Sequence, residues 1–424
     1  MPARPLRRVV AVLVCSACLL ILPQAASSLA AHGGPNAGEP GSGPPAWGSD
    51  PAAPSADRAL QTTEVRWSDV PNSLWAHNAI DYVGATNDWM RDRKAAADGR
   101  YAFEPDRRES RRLFARALFR AFGNGLQQDA SLSFPDLPSD DPFFSFANAT
   151  VTAGWMETDQ NGSFRPSEPV TSREVHRAIV LAIGFGDLAA GADALHLRDG
   201  TLLATPKDFG TLLIGMRIGL RYNHRDDSLD VGPDDALSRA EVAWSLFRAA
   251  TRPTWLHDSL SPYATMTLPN LTPKMQRVVS FAVRYVGYPY VWGGDWNEPT
   301  SSGYCCGYQP VGGFDCSGVT WWVMKQAVSG WDPTPPRDYA GWDLPQRTSA
   351  SMAAAGTPVH WDDKRPGDLL FYDGDDDGTV DHVDTFIGGG WAIDSGGSNA
   401  GLTITWVSGN WYEDHFVHAR RILG

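Results

Sequence analysis

Cysteine is scarce in this chain, and positive charge is in deficit. Only five of the 424 residues are Cys, and 49 Asp and Glu outnumber 36 Lys and Arg, for a net charge of −13 at pH 7. The acidic balance argues against nucleic acid as a partner, because contact with phosphates needs a basic surface. It suits a protein that works outside the cell. Long apolar runs are also missing. Past the first thirty residues no segment is long and apolar enough to cross a bilayer.

The first segment itself has the three parts of an export signal. Arg4, Arg7 and Arg8 make a positive start, residues 9–22 form an apolar core, and small residues fill 25–31. The core is too short for a comfortable span, so residues 1–31 read as a secretory signal peptide cleaved between Ala26 and Ala31. An uncleaved anchor helix is the alternative; lipidation at Cys18 is disfavoured because the apolar run continues past it. Removing the signal takes Cys15 and Cys18 and leaves Cys305, Cys306 and Cys316. An odd number of thiols in an exported protein flags a free, reactive one. Cys305 and Cys306 either form a strained vicinal disulfide, which isolates Cys316, or remain two structural thiols.

The length predicts two or three domains. Residues 32–62, rich in Gly, Pro, Ala and Ser, have nothing to bury and read as a flexible linker. Residues 63–251 hold a weak internal repeat. Its first copy runs from Trp67-Ser68-Asp69-Val70-Pro71 through Phe103-Glu104-Pro105 to a helix over 110–122. The second runs from Phe134-Pro135-Asp136-Leu137-Pro138 through Phe164-Arg165-Pro166 to a helix over 171–183. The third is degenerate at its start and recovers at Val231-Gly232-Pro233, ahead of a helix ending near Ala250. Each closing helix opens on Ser or Thr, which cap free N–H groups well. Units of this kind must pack on one another to close a core.

This pattern resembles the S-layer homology repeat, which normally occurs in threes. The resemblance implies an all-α helical repeat module whose grooves bind a secondary cell-wall polymer, and it carries the groove-lining arginine to Arg111 and Arg239. In the second copy that position holds Ser172, with an arginine displaced to Arg173. The first copy lacks the Ala-Glu pair that follows Arg239. A helical spacer without a ligand is the other reading.

Residues 252–270, with Pro253, Pro262 and Pro269, read as a second linker, and 271–424 as a separate domain. Apolar residues at 275, 278, 279, 282, 283 and 286 mark an amphipathic helix,. Short strands are predicted at 369–371, 382–387, 391–393, 403–407 and 416–420,. Helices first and a sheet afterwards give an α+β domain. Within it, Gly312-Gly313-Phe314-Asp315-Cys316-Ser317-Gly318 sets a lone thiol after a glycine-rich turn, directly ahead of the apolar run 319–328. A helix start offers unsatisfied N–H groups and positive potential, which favour thiolate over thiol. His382 follows in Val380-Asp381-His382-Val383, on a strand that can bring an imidazole to the sulfur.

With Gly287-Tyr288-Pro289-Tyr290-Val291-Trp292-Gly293-Gly294, Leu344-Pro345-Gln346-Arg347-Thr348-Ser349 and Arg365-Pro366-Gly367-Asp368-Leu369-Leu370-Phe371, these pieces resemble the NlpC family of papain-like cysteine peptidases in order and spacing. That family acts on bacterial cell walls. The resemblance implies a papain-like α+β fold, with Cys316 as nucleophile and His382 as its base. The residue that orients the imidazole falls in Trp391-Ala392-Ile393-Asp394. Most of the family has His there, and Asp394 is a sound exchange because a carboxylate accepts the imidazole N–H. Tyr290, Asp315 and Ser317 match substrate-pocket positions, and the Cys316 amide would help hold the oxyanion. The implied reaction needs no cofactor. It is cleavage of peptidoglycan stem peptides, at a D-γ-glutamyl bond to a diamino acid, by a secreted, wall-associated enzyme with no membrane span once the signal is removed. The rivals are a catalytically silent binder of wall polymer or glycan, and an amidase or acyltransferase using the same Cys–His pair.

A second pattern overlaps the first. Asp373, Asp375, Asp377 and Asp381 take positions 1, 3, 5 and 9 of an EF-hand-like calcium loop, with Gly378 at 6 and Asp384 at 12,. Close carboxylates repel unless a cation or water screens them. A structural calcium ion and a solvated acidic turn are the two readings.

Overall fold

The computed structural model describes residues 65–296, 313–329, 344, 346–397 and 401–422. The expected signal peptide (1–31), the linker 32–62 and the Cys305-Cys306 pair lie outside the described residues.

Four helices organise the N-terminal part: α1 (Arg111–Phe122), α2 (Ser172–Ala182), α3 (Phe209–Arg217) and α4 (Arg239–Ala250). Thr171 and Ser238 accept the backbone N–H of Glu174 and Glu241, and those carboxylates accept the cap N–H in return. Such reciprocal caps set where a helix begins. The next free amides are satisfied by other units. Arg111 donates to the Glu168 carbonyl at 2.9 Å, Ser172 to Asp235 at 3.0 Å and Arg239 to Arg107 at 2.8 Å. Antiparallel bridges Ser110–Pro169, Thr171–Ala236 and Arg108–Ser238 join the same segments. The starts of α1, α2 and α4 therefore form a closed ring, each leaning on the loop ahead of the next.

α3 was not expected. Phe209 through Met216 are all buried, so the segment has no polar face and gives no periodic signal. It also runs against backbone: a Cβ at Gly210 would sit 2.0 Å from the Ala189 carbonyl oxygen. Nor is this part wholly helical, since His196–Leu197 pairs in parallel with Thr267–Leu268.

Thr267 and Leu268 belong to residues 252–270, which are not the linker that the sequence predicts. Residues 252–270, read as a linker for their prolines, are packed. Leu256, Leu260, Tyr263, Met266 and Leu268 are buried. The Tyr263 hydroxyl donates to the Ile404 carbonyl at 2.8 Å, and its ring meets Trp391 edge-on at 4.8 Å. Enough apolar surface lies between the prolines to outweigh the chain entropy of a tether. One apolar core runs from Val70 to Ile404, so the N-terminal helices and the C-terminal sheet share their interior.

The C-terminal part holds α5 (Pro273–Tyr285), α6 (Cys316–Ser329) and the four-residue α7 (Trp411–Asp414). Its main strands are β1 (Thr357–Val359), β2 (Asp368–Tyr372), β3 (His382–Gly388), β4 (Trp391–Gly396), β5 (Gly401–Trp406) and β6 (Phe416–Arg421). They form one antiparallel sheet in the order β1-β6-β2-β3-β4-β5. Every residue of β2, β3 and β4 is buried, and α6 packs on α5, β3 and β4. The edge strand β1 was not expected; it is three residues long, carries Pro358 and is mostly exposed, which fits an edge that needs little pairing. Among the described residues no helix is long and apolar enough to cross a membrane.

Candidate active site

Cys316 is fixed by what precedes it. Asp315 caps α6 by accepting the Gly318 N–H, and its other oxygen accepts the Gly293 N–H at 2.9 Å. Arg347 clamps the same corner. One terminal nitrogen reaches Asp315 at 3.1 Å and donates to the Ser317 hydroxyl oxygen at 2.8 Å; the other donates to the Gly293 and Gly294 carbonyls at 3.0 Å. A Cβ at Gly318 would lie 1.9 Å from the Gly294 oxygen, so only glycine lets helix and loop approach this closely. Asp315 and Ser317, expected to line the substrate pocket, are buried and engaged in this clamp. Tyr290 is buried as well. Arg347 holds much of this corner, a part that its sequence motif alone does not reveal.

The sheet supplies the imidazole. Ser395 of β4 donates to the Phe314 carbonyl at 2.8 Å, tying the strand to the turn before Cys316. His382 opens β3 opposite Tyr372 and is fully buried, while Cys316 is 6% exposed. Its Nε2 lies 3.0 Å from Asp384 Oδ1 and 3.1 Å from Asp394 Oδ1. Tyr412, on α7, donates to the second oxygen of Asp394 at 2.7 Å. Nδ1 is buried and has no hydrogen-bond partner among the described residues. Cys316 is among the groups that act on the ring, so the nitrogen left open is the one available to the thiol. Cys316, His382 and Asp394 are brought together.

Asp384 is the addition. In a strand, residues two apart share a face, which sets Asp384 beside His382 on the inner side of β3. It therefore does not complete the calcium loop, and that expectation is corrected. Asp373, Asp375 and Asp377 do converge, with ligand atoms within 4.8 Å of one another. Their loop is held by its own amides: Asp373 accepts the N–H groups of Asp377 and Gly378. Asp381 stands outside that group, accepting the Gly374 N–H at 3.1 Å; burial pushes it up to about 6. His382, Asp384 and Asp394 also bring ligand atoms within 4.8 Å. A ring N–H between two carboxylate oxygens accounts for that closeness without a cation.

The charges in this pocket are uneven. Burial favours neutral His382, but the charge of Asp384, the hydrogen bonds to Asp384 and Asp394 and the nearby Cys316 hold its pKa well above the ordinary range. Asp384 is pushed up to about 7 by burial and by the nearby charge of Asp394. Burial would raise Asp394 too, yet His382, the Tyr412 hydroxyl and the Arg217 charge hold it below its usual value.

A thiol at a helix start, beside a buried imidazole backed by a carboxylate, is an arrangement suited to covalent acyl transfer. Residues 287–421 match the NlpC/P60 family, and residues 133–172 match the S-layer homology domain. The C-terminal region is an NlpC/P60 domain. Over 156 residues the chain is 28% identical to murein DD-endopeptidase MepH of Escherichia coli K12, covering 35% of this chain and 48% of that protein. Over 148 residues it is 28% identical to the bifunctional muramidase/DL-endopeptidase CwlT of Bacillus subtilis 168, covering 35% and 36%. A solved structure of the peptidoglycan hydrolase RipB from Mycobacterium tuberculosis is similar at 27% identity, over 36% of this chain and 65% of that one, with a TM-score of 0.25. The chain thus spans less than half the length of these two curated relatives.

The residues expected to meet a wall polymer lie away from the NlpC/P60 site. Arg111 lines a groove of about 630 Å³ with Arg165, Arg173, Arg177 and Lys207, and Arg239 lines one of about 240 Å³ with Arg93 and Arg107. Both arginines are floor rather than rim. Arg111 donates to the Phe164 carbonyl at 2.7 Å and the Glu157 carbonyl at 2.6 Å, and pairs with Glu174. Arg239 donates to the Phe103 carbonyl at 2.7 Å and the Met90 carbonyl at 3.0 Å, and pairs with Asp92 at 2.7 Å and Glu109 at 2.6 Å. Every guanidinium nitrogen of the two is engaged within the protein.

Proposed function

We propose that this protein is a secreted, wall-associated cysteine endopeptidase that cleaves peptidoglycan stem peptides. The observation that carries the reading is the buried His382 ring: carboxylates hold Nε2, and Nδ1 is left for Cys316 at the start of α6. In the proposed cycle His382 takes the Cys316 proton and the sulfur attacks the peptide carbonyl. The Cys316 amide, at the helix start, donates to the oxyanion. The imidazolium then protonates the leaving amine, leaving an acyl-enzyme. His382 next deprotonates a water that releases the acid and restores the thiol. Asp394 holds the ring in place and stabilises the imidazolium. No step uses a metal, so a calcium ion on Asp373, Asp375 and Asp377 would have a structural part only.

The family match and relatives named as endopeptidases support the substrate class. The name DL-endopeptidase borne by CwlT favours a D-γ-glutamyl bond to a diamino acid as the bond cut. For the N-terminal part, we propose three S-layer homology-like repeats over 63–251 that hold the enzyme to a wall polymer in the two grooves. Arg111 and Arg239 shape those grooves, and Arg165, Arg173, Arg177 and Lys207 offer charge at the larger one. Export through residues 1–31 completes the reading.

Digestion of purified sacculi, with the released fragments identified by mass, tests it. Fragments ending in a free D-glutamyl α- and γ-carboxyl, with a new amine on the diamino acid, are expected. Sacculus binding without any release would favour the silent binder. Fragments cut only at the glycan–peptide amide, or carrying a transferred acyl group, would favour the amidase or acyltransferase.

A further inference from the structure

We propose that Arg217, the last residue of α3 in the N-terminal part, is a positioning residue for the peptidase: acting with Tyr412, it makes Asp394 the charged partner of His382. The proposal rests on the reading of Cys316 and His382 as the catalytic pair.

The geometry around His382 poses a problem of symmetry. One ring nitrogen meets two carboxylates at nearly equal distances, 3.0 and 3.1 Å, and all three side chains are fully buried. Two carboxylates in one dry pocket cannot both stay ionised without help, because burial and mutual repulsion each favour a proton on one of them. The distances do not choose between them; what stands behind each one does. Asp384 is backed by the phenol of Tyr372. Asp394 is backed by Tyr412, whose hydroxyl donates to Oδ2 at 2.7 Å. Tyr412 in turn lies within reach of Arg217, whose charge also acts on Asp394.

Arg217 gets there through the fold. α3 packs against β5, the neighbour of β4, which carries Asp394. The Arg217 Nε is buried. Tyr263, from residues 252–270, closes the same side by anchoring to Ile404 and Trp391. Arg217 and Tyr263 both lie outside residues 287–421, the part that matches the NlpC/P60 family. The N-terminal part therefore does more than anchor: it completes the pocket behind the catalytic carboxylate.

The groups facing Asp394 are His382 and Asp384 from β3, Tyr372 from β2, Tyr412 from α7, Arg217 from α3 and Tyr263. Arg217 carries a permanent positive charge among them. Their directions agree with the assignment: burial and Asp394 push Asp384 up, while Asp394 ends below its usual value despite burial. The plainer alternative is a cation that complements the carbonyl end of α3, with no part in the reaction.

The test is the pH profile of kcat/KM on a stem peptide, measured in the full chain for wild type, Arg217→Met, Arg217→Gln and Arg217→Lys, with melting temperatures to report folding. Arg217 lowers the Asp394 pKa, so a neutral residue raises it, and the acid limb moves to higher pH by about one unit or more. At a pH on the wild-type acid limb this is roughly a tenfold loss or greater. Arg217→Lys keeps the charge and restores the limb. Gln retains a donor for Tyr412 and carries the test if Met does not fold. Tyr412→Phe breaks the link with Arg217 still present, and must move the limb the same way. A limb that stays put in folded neutral variants, whatever their kcat/KM, would reduce Arg217 to a helix-end cation. Absence of turnover in wild type would instead remove the reading on which this proposal rests.

Discussion

Two parts of this molecule bury charge, and they do so to different ends. In the N-terminal ring, Arg111 and Arg239 have every guanidinium nitrogen engaged by carbonyls and carboxylates. In the NlpC/P60 domain, His382 has one nitrogen doubly held and the other left without a partner among the described residues. A buried group that is fully satisfied resists change and fixes structure; one with an open position keeps a proton to exchange. The contrast separates residues that hold the fold from residues placed for chemistry.

Substitutions can break that contrast. The largest effect is expected at the carboxylates. Asp394→Asn should lower kcat by a factor on the order of 10³–10⁴, the scale seen when a triad carboxylate is neutralised. Asp384→Asn mimics a protonated partner and should cost less than about tenfold; equal losses for the two variants would erase the asymmetry. Asp394 helps hold the His382 pKa up. Its loss lets that value fall toward the ordinary range, so the imidazolium is lost at lower pH and the alkaline limb should move down.

Arg239→Met attacks the other side. It leaves Glu109, 1% exposed, without its partner. The expected cost is about 3–5 kcal/mol of folding stability, read from chemical denaturation, with kcat per folded molecule unchanged. A fall in kcat without destabilisation would move Arg239 out of the structural class. A smaller loss is expected from Tyr263→Phe, which leaves the Ile404 carbonyl unpaired and should cost about 1–3 kcal/mol. No change in its melting curve would mean that residues 252–270 contribute little to holding the two parts together. Smallest of all, a calcium chelator should leave kcat/KM unmoved, since no step of the proposed cycle uses the Asp373-Asp375-Asp377 loop; a large loss would bring that loop into the site.

How much of this is legible in the sequence depends on how far apart the partners lie. Cys316, His382 and Asp394 each sit in a short motif whose local context shows its strand or helix, so their convergence follows from order and spacing. Asp384 fits the twelve-residue spacing of a metal loop, and only the sheet, through strand alternation, sets it beside His382 instead. Arg217 and Tyr412 are 195 positions apart (412 − 217), and no local pattern joins them. α3 gives no periodic signal for want of a polar face. Residues 252–270 misled through their prolines, while the Leu, Tyr and Met residues between them carried the packing signal.

The central claim is that Cys316 is the nucleophile. The direct measurement is the rate at which new amine appears from a defined stem peptide, for wild type and Cys316→Ala side by side, with equal melting temperatures confirming equal folding. The account predicts steady release by wild type and background alone for the variant. Release at the wild-type rate by Cys316→Ala, or none by either protein, would contradict it.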